Sequence, residues 1–257
     1  MVVPTRIAVR WLMFVIALVA VPCRKDDPVE EEVPTSTTGT LRIHVVPEWH
    51  GEAFQPFTEY RAPLNYRFQA EMVRFCLSDI SVVNGTDSAM VKDVALLDLG
   101  DGPFDLDLTV PAGSWFGLKS GLGLPDALNH SDPALYANGH PLSVSTGMSW
   151  NWNDGYKFVL FDGRFDPDPE GAGSLLSPFS VHTGMDTCYT VVDLFPAVPF
   201  NVSAGGVTEL TLRIDVYGFL QSATDTINVS TENLAHGSNF PLALKLTRNV
   251  SSSLYMQ

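Results

Sequence analysis

Between Phe104 and Val110 the chain reads Phe-Asp-Leu-Asp-Leu-Thr-Val, so Phe104, Leu106, Leu108 and Val110 are separated by Asp105, Asp107 and Thr109. Alternate side chains of an extended chain leave opposite faces, and this stretch buries its apolar set only as a half-exposed β-strand. The same period of two recurs elsewhere. Leu41, Ile43 and Val45 alternate with Arg42, His44 and Val46, and Val73, Phe75 and Leu77 with Arg74, Cys76 and Ser78, continued by Ile80 and Val82. Leu210, Leu212, Ile214 and Val216 alternate with Thr211, Arg213, Asp215 and Tyr217, and Leu242, Leu244 and Leu246 read as a terminal strand. Residues 91–99 are a further apolar run that stops at Gly100-Asp101-Gly102-Pro103, a strong turn signal. The strand expected over residues 115–124 carries three glycines, which imply a bulge or a close backbone approach. No apolar period of 3.6 persists for three turns. The expected fold is therefore all-β, an antiparallel β-sandwich of roughly nine to twelve strands with long loops.

The ends of the chain divide differently. Arg6 and Arg10 precede an apolar run over residues 11–21, too short for a permanent span and matched to an export signal. Residues 1–22 read as a lipoprotein-type signal peptide, with Cys23 as the residue to be acylated. Residues 23–39 are acidic, Pro-containing and Ser/Thr-rich, and read as a disordered tether. A β-domain is expected over residues 40–248 and a frayed polar tail over residues 249–257. The expected location is the periplasm or the outer membrane, surface-exposed or not, with the membrane reached through the lipid. At 257 residues and 45% hydrophobic composition, one large domain can hold a substantial core. A formal charge of -14 argues against nucleic acid and against anionic lipid surfaces. Beyond Cys23 only Cys76 and Cys188 remain, and in an oxidising compartment they form either one disulfide or two small buried apolar side chains.

Chemistry concentrates around Gly147-Met148-Ser149-Trp150-Asn151-Trp152-Asn153-Asp154-Gly155-Tyr156-Lys157-Phe158. Trp150 and Trp152 leave one face of an extended backbone, an Asn-Asp-Gly turn follows, and Tyr156, Phe158 and Leu160 alternate with Lys157, Val159 and Phe161. On its own residues this is a tight hairpin whose aromatics pack. Six histidines are available to a metal, His44, His50, His130, His140, His182 and His236, but no pair has the short spacing of a local metal motif. Gly147-Met148-Ser149 lacks the second glycine of a nucleophile elbow, and a hydrolase would need a nucleophile, a base and an orienting acid to converge in three dimensions.

Four blocks in order narrow these options. They are Arg74-Phe75-Cys76-Leu77-Ser78-Asp79-Ile80, then Gly121 to Asp132 with its Asn129-His130-Ser131-Asp132, then the tryptophan hairpin, then Phe179-Ser180-Val181-His182-Thr183-Gly184-Met185-Asp186-Thr187-Cys188. Together they resemble the MbnP-like copper-binding proteins, the methanobactin-associated periplasmic protein and its relatives, over residues 41–246. The resemblance implies copper as the metal, with His182 first and His130 next as ligands, and His44 and His50 as further candidates on the opening strand and the loop after it. It also implies that a tryptophan, Trp150 or Trp152 with Trp49 beside His50 as an outsider, is oxidised to kynurenine, whose aniline nitrogen can join histidines on copper. The partner implied for that oxidation is a dihaem enzyme related to cytochrome c peroxidases. The expected function is copper storage, uptake or delivery without turnover; the alternative is a cell-surface β-sandwich interaction module without metal.

Overall fold

The structure, a computed structural model, describes Met1, residues 36–150 and residues 155–257. The export signal, Cys23, most of the tether and Trp152 lie outside the described residues. The chain opens with β1 (Thr38–Trp49), β2 (Glu52–Ala53), β3 (Tyr60–Arg61), β4 (Arg67–Asn84) and β5 (Asp87–Asp98). It continues with β6 (Phe104–Pro111), β7 (Gly113–Trp115), β8 (Gly117–Leu122), the short helix α1 (Asp126–Asn129), β9 (Lys157–Asp166) and β10 (Ser177–Gly184). The last part holds β11 (Thr190–Leu194), β12 (Phe200–Val202), β13 (Val207–Asp215), α2 (Tyr217–Leu220), β14 (Leu234–His236), α3 (Phe240–Ser252) and β15 (Leu254–Met256).

The smaller main sheet runs β15-β13-β1-β2, with β6 also on β1, and the larger runs β11-β8-β4-β9-β10-β14, with β3 and β5 also on β4. The chain is mostly strands, as the alternation predicts. The strands number fifteen among the described residues rather than nine to twelve, because two- and three-residue pieces join the ladders. The antiparallel expectation is corrected: β1 pairs with β13, and β10 with β14, in parallel. Side chains alternate with the same period in both kinds of ladder, so the pattern cannot distinguish chain direction.

The clearest alternation lands where it should. Leu41, Ile43 and Val45 of β1 are buried, as are Leu108 and Val110 of β6. On the outer face, the antiparallel register sets Arg42 opposite Asp107 and His44 opposite Asp105. Arg42 makes two bonds of 2.8 Å to Asp107, and this pairing holds the Asp107 carboxyl below its ordinary range. In β4 the apolar set changes parity, from Phe75 and Leu77 to Ile80 and Val82, and the ladders to β5 and β8 shift register there. Asp79 takes φ 50° at that point, an extra residue that turns the following side chains back to the core face.

β9 lies between β4 and β10 and is buried on both faces. Val159 and Phe161 join the large apolar cluster shared with β1, β6 and β13, whereas Tyr156, Phe158 and Leu160 belong to a second cluster. That second cluster is closed by Leu124, Leu142 and Met148 from the long connection before β9, and by Ala243 of α3. This long connection therefore serves as a lid of apolar side chains over the far face of the larger sheet. Met148 is fully buried in it.

Two predicted features of the C-terminus are corrected. Leu242, Leu244 and Leu246 are not a strand but part of the 13-residue α3, where Leu242, Leu246 and Val250 are buried at helical spacing and Leu244 is half-buried. Pro241 in the first turn and Asn239, whose side chain accepts from the Leu242 N–H, are the start signals that outweigh three alternating leucines. The tail is also ordered. Leu254 and Met256 are buried, and β15 pairs Leu212 with Met256 and Ile214 with Leu254. Leu246→Ala is expected to lower stability by about 2–5 kcal/mol in denaturant unfolding, because α3 and the main core lose a shared side chain.

Cys76 and Cys188 are free thiols, both buried in the second cluster, so the bridged option gives way to the apolar one. Burial pushes the Cys76 thiol up to about 12. An unfolded thiol ionises near ~8.5, so the contribution of this thiol to stability is complete below that pH and is lost as pH rises toward the native value. A disulfide exchange reagent at pH 8 is expected to label neither residue in the native protein and both after unfolding.

Candidate metal centre

The site stands on the far face of the larger sheet, at the margin of the second cluster. Phe158, Leu160 and Asp162 follow one another on one face of β9, so a carboxylate continues an apolar row. Register sets Ser180 opposite Asp162 and His182 opposite Leu160. Across the parallel ladder to β14, His182 is paired with His236. Topology thus gathers two imidazoles, a hydroxyl and a carboxylate from three adjacent strands.

Their contacts are close. His182 Nε2 lies 2.8 Å from Asp162 Oδ1, and Ser180 Oγ lies 2.6 Å from the same oxygen. His236 Nε2 lies 2.7 Å from Ser180 Oγ, and the two imidazole rings stack with centroids 4.5 Å apart. His182 is only 7% exposed, and its Nδ1 is buried with no hydrogen-bond partner among the described residues. Burial pushes the Asp162 carboxyl up, but hydrogen bonds from His182 and Ser180 and the nearby imidazoles outweigh it and hold the group below its ordinary range. Burial and the neighbouring His182 push His236 below its ordinary value, against the pull of Asp162.

Trp150 completes the centre. Its backbone N–H donates to the Gly155 carbonyl at 3.0 Å, and the Lys157 backbone N–H donates to Met148 O at 2.7 Å, which closes the base of the tryptophan hairpin. Its ring centroid lies 5.9 Å from that of His182. Lys157 Nζ lies 5.1 Å from the indole centroid and donates to Gly147 O at 2.7 Å; burial lowers its pKa. Gly184 makes the approach feasible, because a Cβ there would stand 2.5 Å from Tyr156 O and 3.0 Å from Trp150 Nε1. Gly184→Ala is expected to lower stability, because the backbone carbonyl of Tyr156 must move, and to displace the indole from His182, read as a lower denaturant midpoint together with a shift in tryptophan emission.

The other sequence-derived candidates are distributed more widely. His130 follows α1 and sits with Asp126 and Asp186, at 3.6 and 3.3 Å, on an exposed surface. The buried Asn129 donates to Asp186 at 2.9 Å and accepts from Tyr156 N–H at 3.0 Å. His130 and Trp150 line one open cavity of ≈ 380 Å³, which His182 does not line. His44 lies on the smaller sheet, 2.7 Å from Asp105, and His50 packs on the ring of Tyr217 at 3.6 Å. Trp49 is core, stacked on Tyr60 and Phe68. Trp152 lies outside the described residues. The sequence reading counted His236 among the six available histidines without singling it out, and did not connect Asp162 with them. His236 is joined to its site only by a parallel pairing, whereas Asp162 left a legible trace as the acid in the row of Phe158 and Leu160.

Ser180, His182 and Asp162 do converge, as a hydrolase would require. A catalytic relay needs the acid on one ring nitrogen and the hydroxyl on the other. Here Asp162 and Ser180 both meet Nε2 of His182, and the hydroxyl hydrogen is directed at the carboxylate. The donor set is suited instead to a cation that prefers imidazole.

The MbnP family matches residues 38–239, which contain all four sequence blocks and both histidines of the centre. Among solved structures, MbnP from Methylosinus trichosporium is similar, with a TM-score of 0.48 at 18% identity over 71% of this chain and 77% of that chain. No curated protein matches the chain.

Proposed function

Because the chain belongs to the MbnP family, we propose that it is an exported copper-binding protein that holds the metal for storage, uptake or delivery and performs no turnover of its own. The observation that carries this reading is the orphaned Nδ1 of His182. A buried polar atom without a partner costs about 1–3 kcal/mol, and a lone pair facing a metal removes that cost. Copper accepts imidazole readily, and the buried His182 with the stacked, partly exposed His236 offers it.

An indole N–H is a donor only and cannot ligate. In the proposed site Trp150 contributes after oxidation to kynurenine, through the aniline nitrogen, with a dihaem oxidase as the exported partner that performs the oxidation. His130, engaged with two carboxylates, is left outside the copper shell in this reading. Anchoring through acylated Cys23 would hold the protein at a membrane; no helix among the described residues is long and apolar enough to cross one.

The test is metal content and intact mass of protein purified from its own host, with peptide mapping of Trp49, Trp150 and Trp152. Copper at one equivalent, with Trp150 carrying one oxygen in place of one carbon, is the expected result. Unmodified tryptophans and no copper after reconstitution would sink the reading in favour of an interaction module without metal.

A further inference from the structure

One carboxylate oxygen governs the protons of the whole imidazole pair. A carboxylate only accepts hydrogen bonds, so at Asp162 Oδ1 the hydrogens come from Ser180 Oγ at 2.6 Å and from His182 Nε2 at 2.8 Å. A hydroxyl has one hydrogen, and that of Ser180 is committed to Asp162. Toward His236 Nε2, 2.7 Å away, Ser180 Oγ is therefore the acceptor, and His236 also carries its hydrogen on Nε2. A second hydrogen on His182 would place a charged donor at Nδ1, buried and without a partner among the described residues. With its hydrogen on Nε2 toward Asp162, the His182 ring presents its lone pair at Nδ1.

We propose that Asp162 is a positioning residue that sets the tautomer of both imidazoles, of His182 directly and of His236 through the Ser180 hydroxyl. The chain of donors runs from His236 Nε2–H to Ser180, from Ser180 O–H to Asp162, and from His182 Nε2–H to the same Asp162 oxygen. It needs three adjacent strands in register, β9, β10 and β14, and the parallel pairing of β14 on β10 is what stacks the rings. The consequence for His182 is a nitrogen lone pair at a buried position beside Trp150. On the reading proposed above, that nitrogen is the copper ligand and Asp162 is the outer carboxylate that orients it.

Long-range nitrogen–proton spectra of the metal-free, nitrogen-15-labelled chain at neutral pH test the tautomers directly. Both His182 and His236 are expected as Nε2–H forms. Ser180→Ala should leave His182 unchanged and shift the tautomer equilibrium of His236 away from Nε2–H, and Asp162→Ala should shift both, with backbone amide shifts outside the three strands unchanged. Should Asp162→Ala fail to fold, Ser180→Ala decides on its own, because a merely structural role gives no reason for one ring to change and the other not. An Nδ1–H form of His182 in the wild type, or equal changes of both rings in Ser180→Ala, would overturn the proposal. Copper titration then reads the consequence, with Asp162→Ala expected to bind about 10–100-fold more weakly. Correct tautomers in a protein that takes up no copper from any source would overturn the metal reading while leaving the positioning role in place.

Discussion

Replacing His182 by glutamine is expected to weaken copper binding by at least about 100-fold, or ~2.8 kcal/mol, with the fold retained. The glutamine amide can still donate to Asp162, so the carboxylate of that pair is not stranded, while the buried ring nitrogen is removed. Competition titration with a copper chelator measures the loss, and circular dichroism checks the fold. His44→Gln is the matched control, because His44 sits on the smaller sheet against Asp105 and lies outside the centre. Equal affinities of wild type and His182→Gln would remove His182 from the metal shell.

The second large effect is on stability. Phe158→Ala is expected to cost about 3–5 kcal/mol in equilibrium unfolding. Phe158 is fully buried in the second cluster, and its ring occupies the space that any side chain at Gly123 would need, 2.3 Å from the Cβ position. The change also loosens the lid formed by Leu124, Leu142 and Met148, and with it the base of the hairpin that carries Trp150. A loss below about 1 kcal/mol would show that the second cluster collapses freely, contrary to interiors packed at crystal-like density.

What could be read from the chain, and what could not, follows physical lines. Residues 104–110 determined a strand and its buried face, whereas the meeting of its acids with Arg42 and His44 came from the register of a distant strand. The parity change between Leu77 and Ile80 is a local record of the bulge at Asp79. The four blocks around Phe75, His130, Trp150 and His182 carried the family. α3 reads as a strand from three alternating leucines, although only Leu242 and Leu246, at i and i+4, share a face in both periods; the deciding signals, Asn239 and Pro241, lie just before them.

Local pattern determined the strands because side-chain alternation and turn chemistry are properties of neighbouring residues. Only the tertiary structure decided which strands lie side by side. Parallel and antiparallel ladders share one alternation, and nothing within Leu234-Ala235-His236 marks it for the edge of β10. That pairing brings His236 against His182, and the pairing of β9 with β10 brings Asp162 beneath both, so the centre exists only once distant segments are in register.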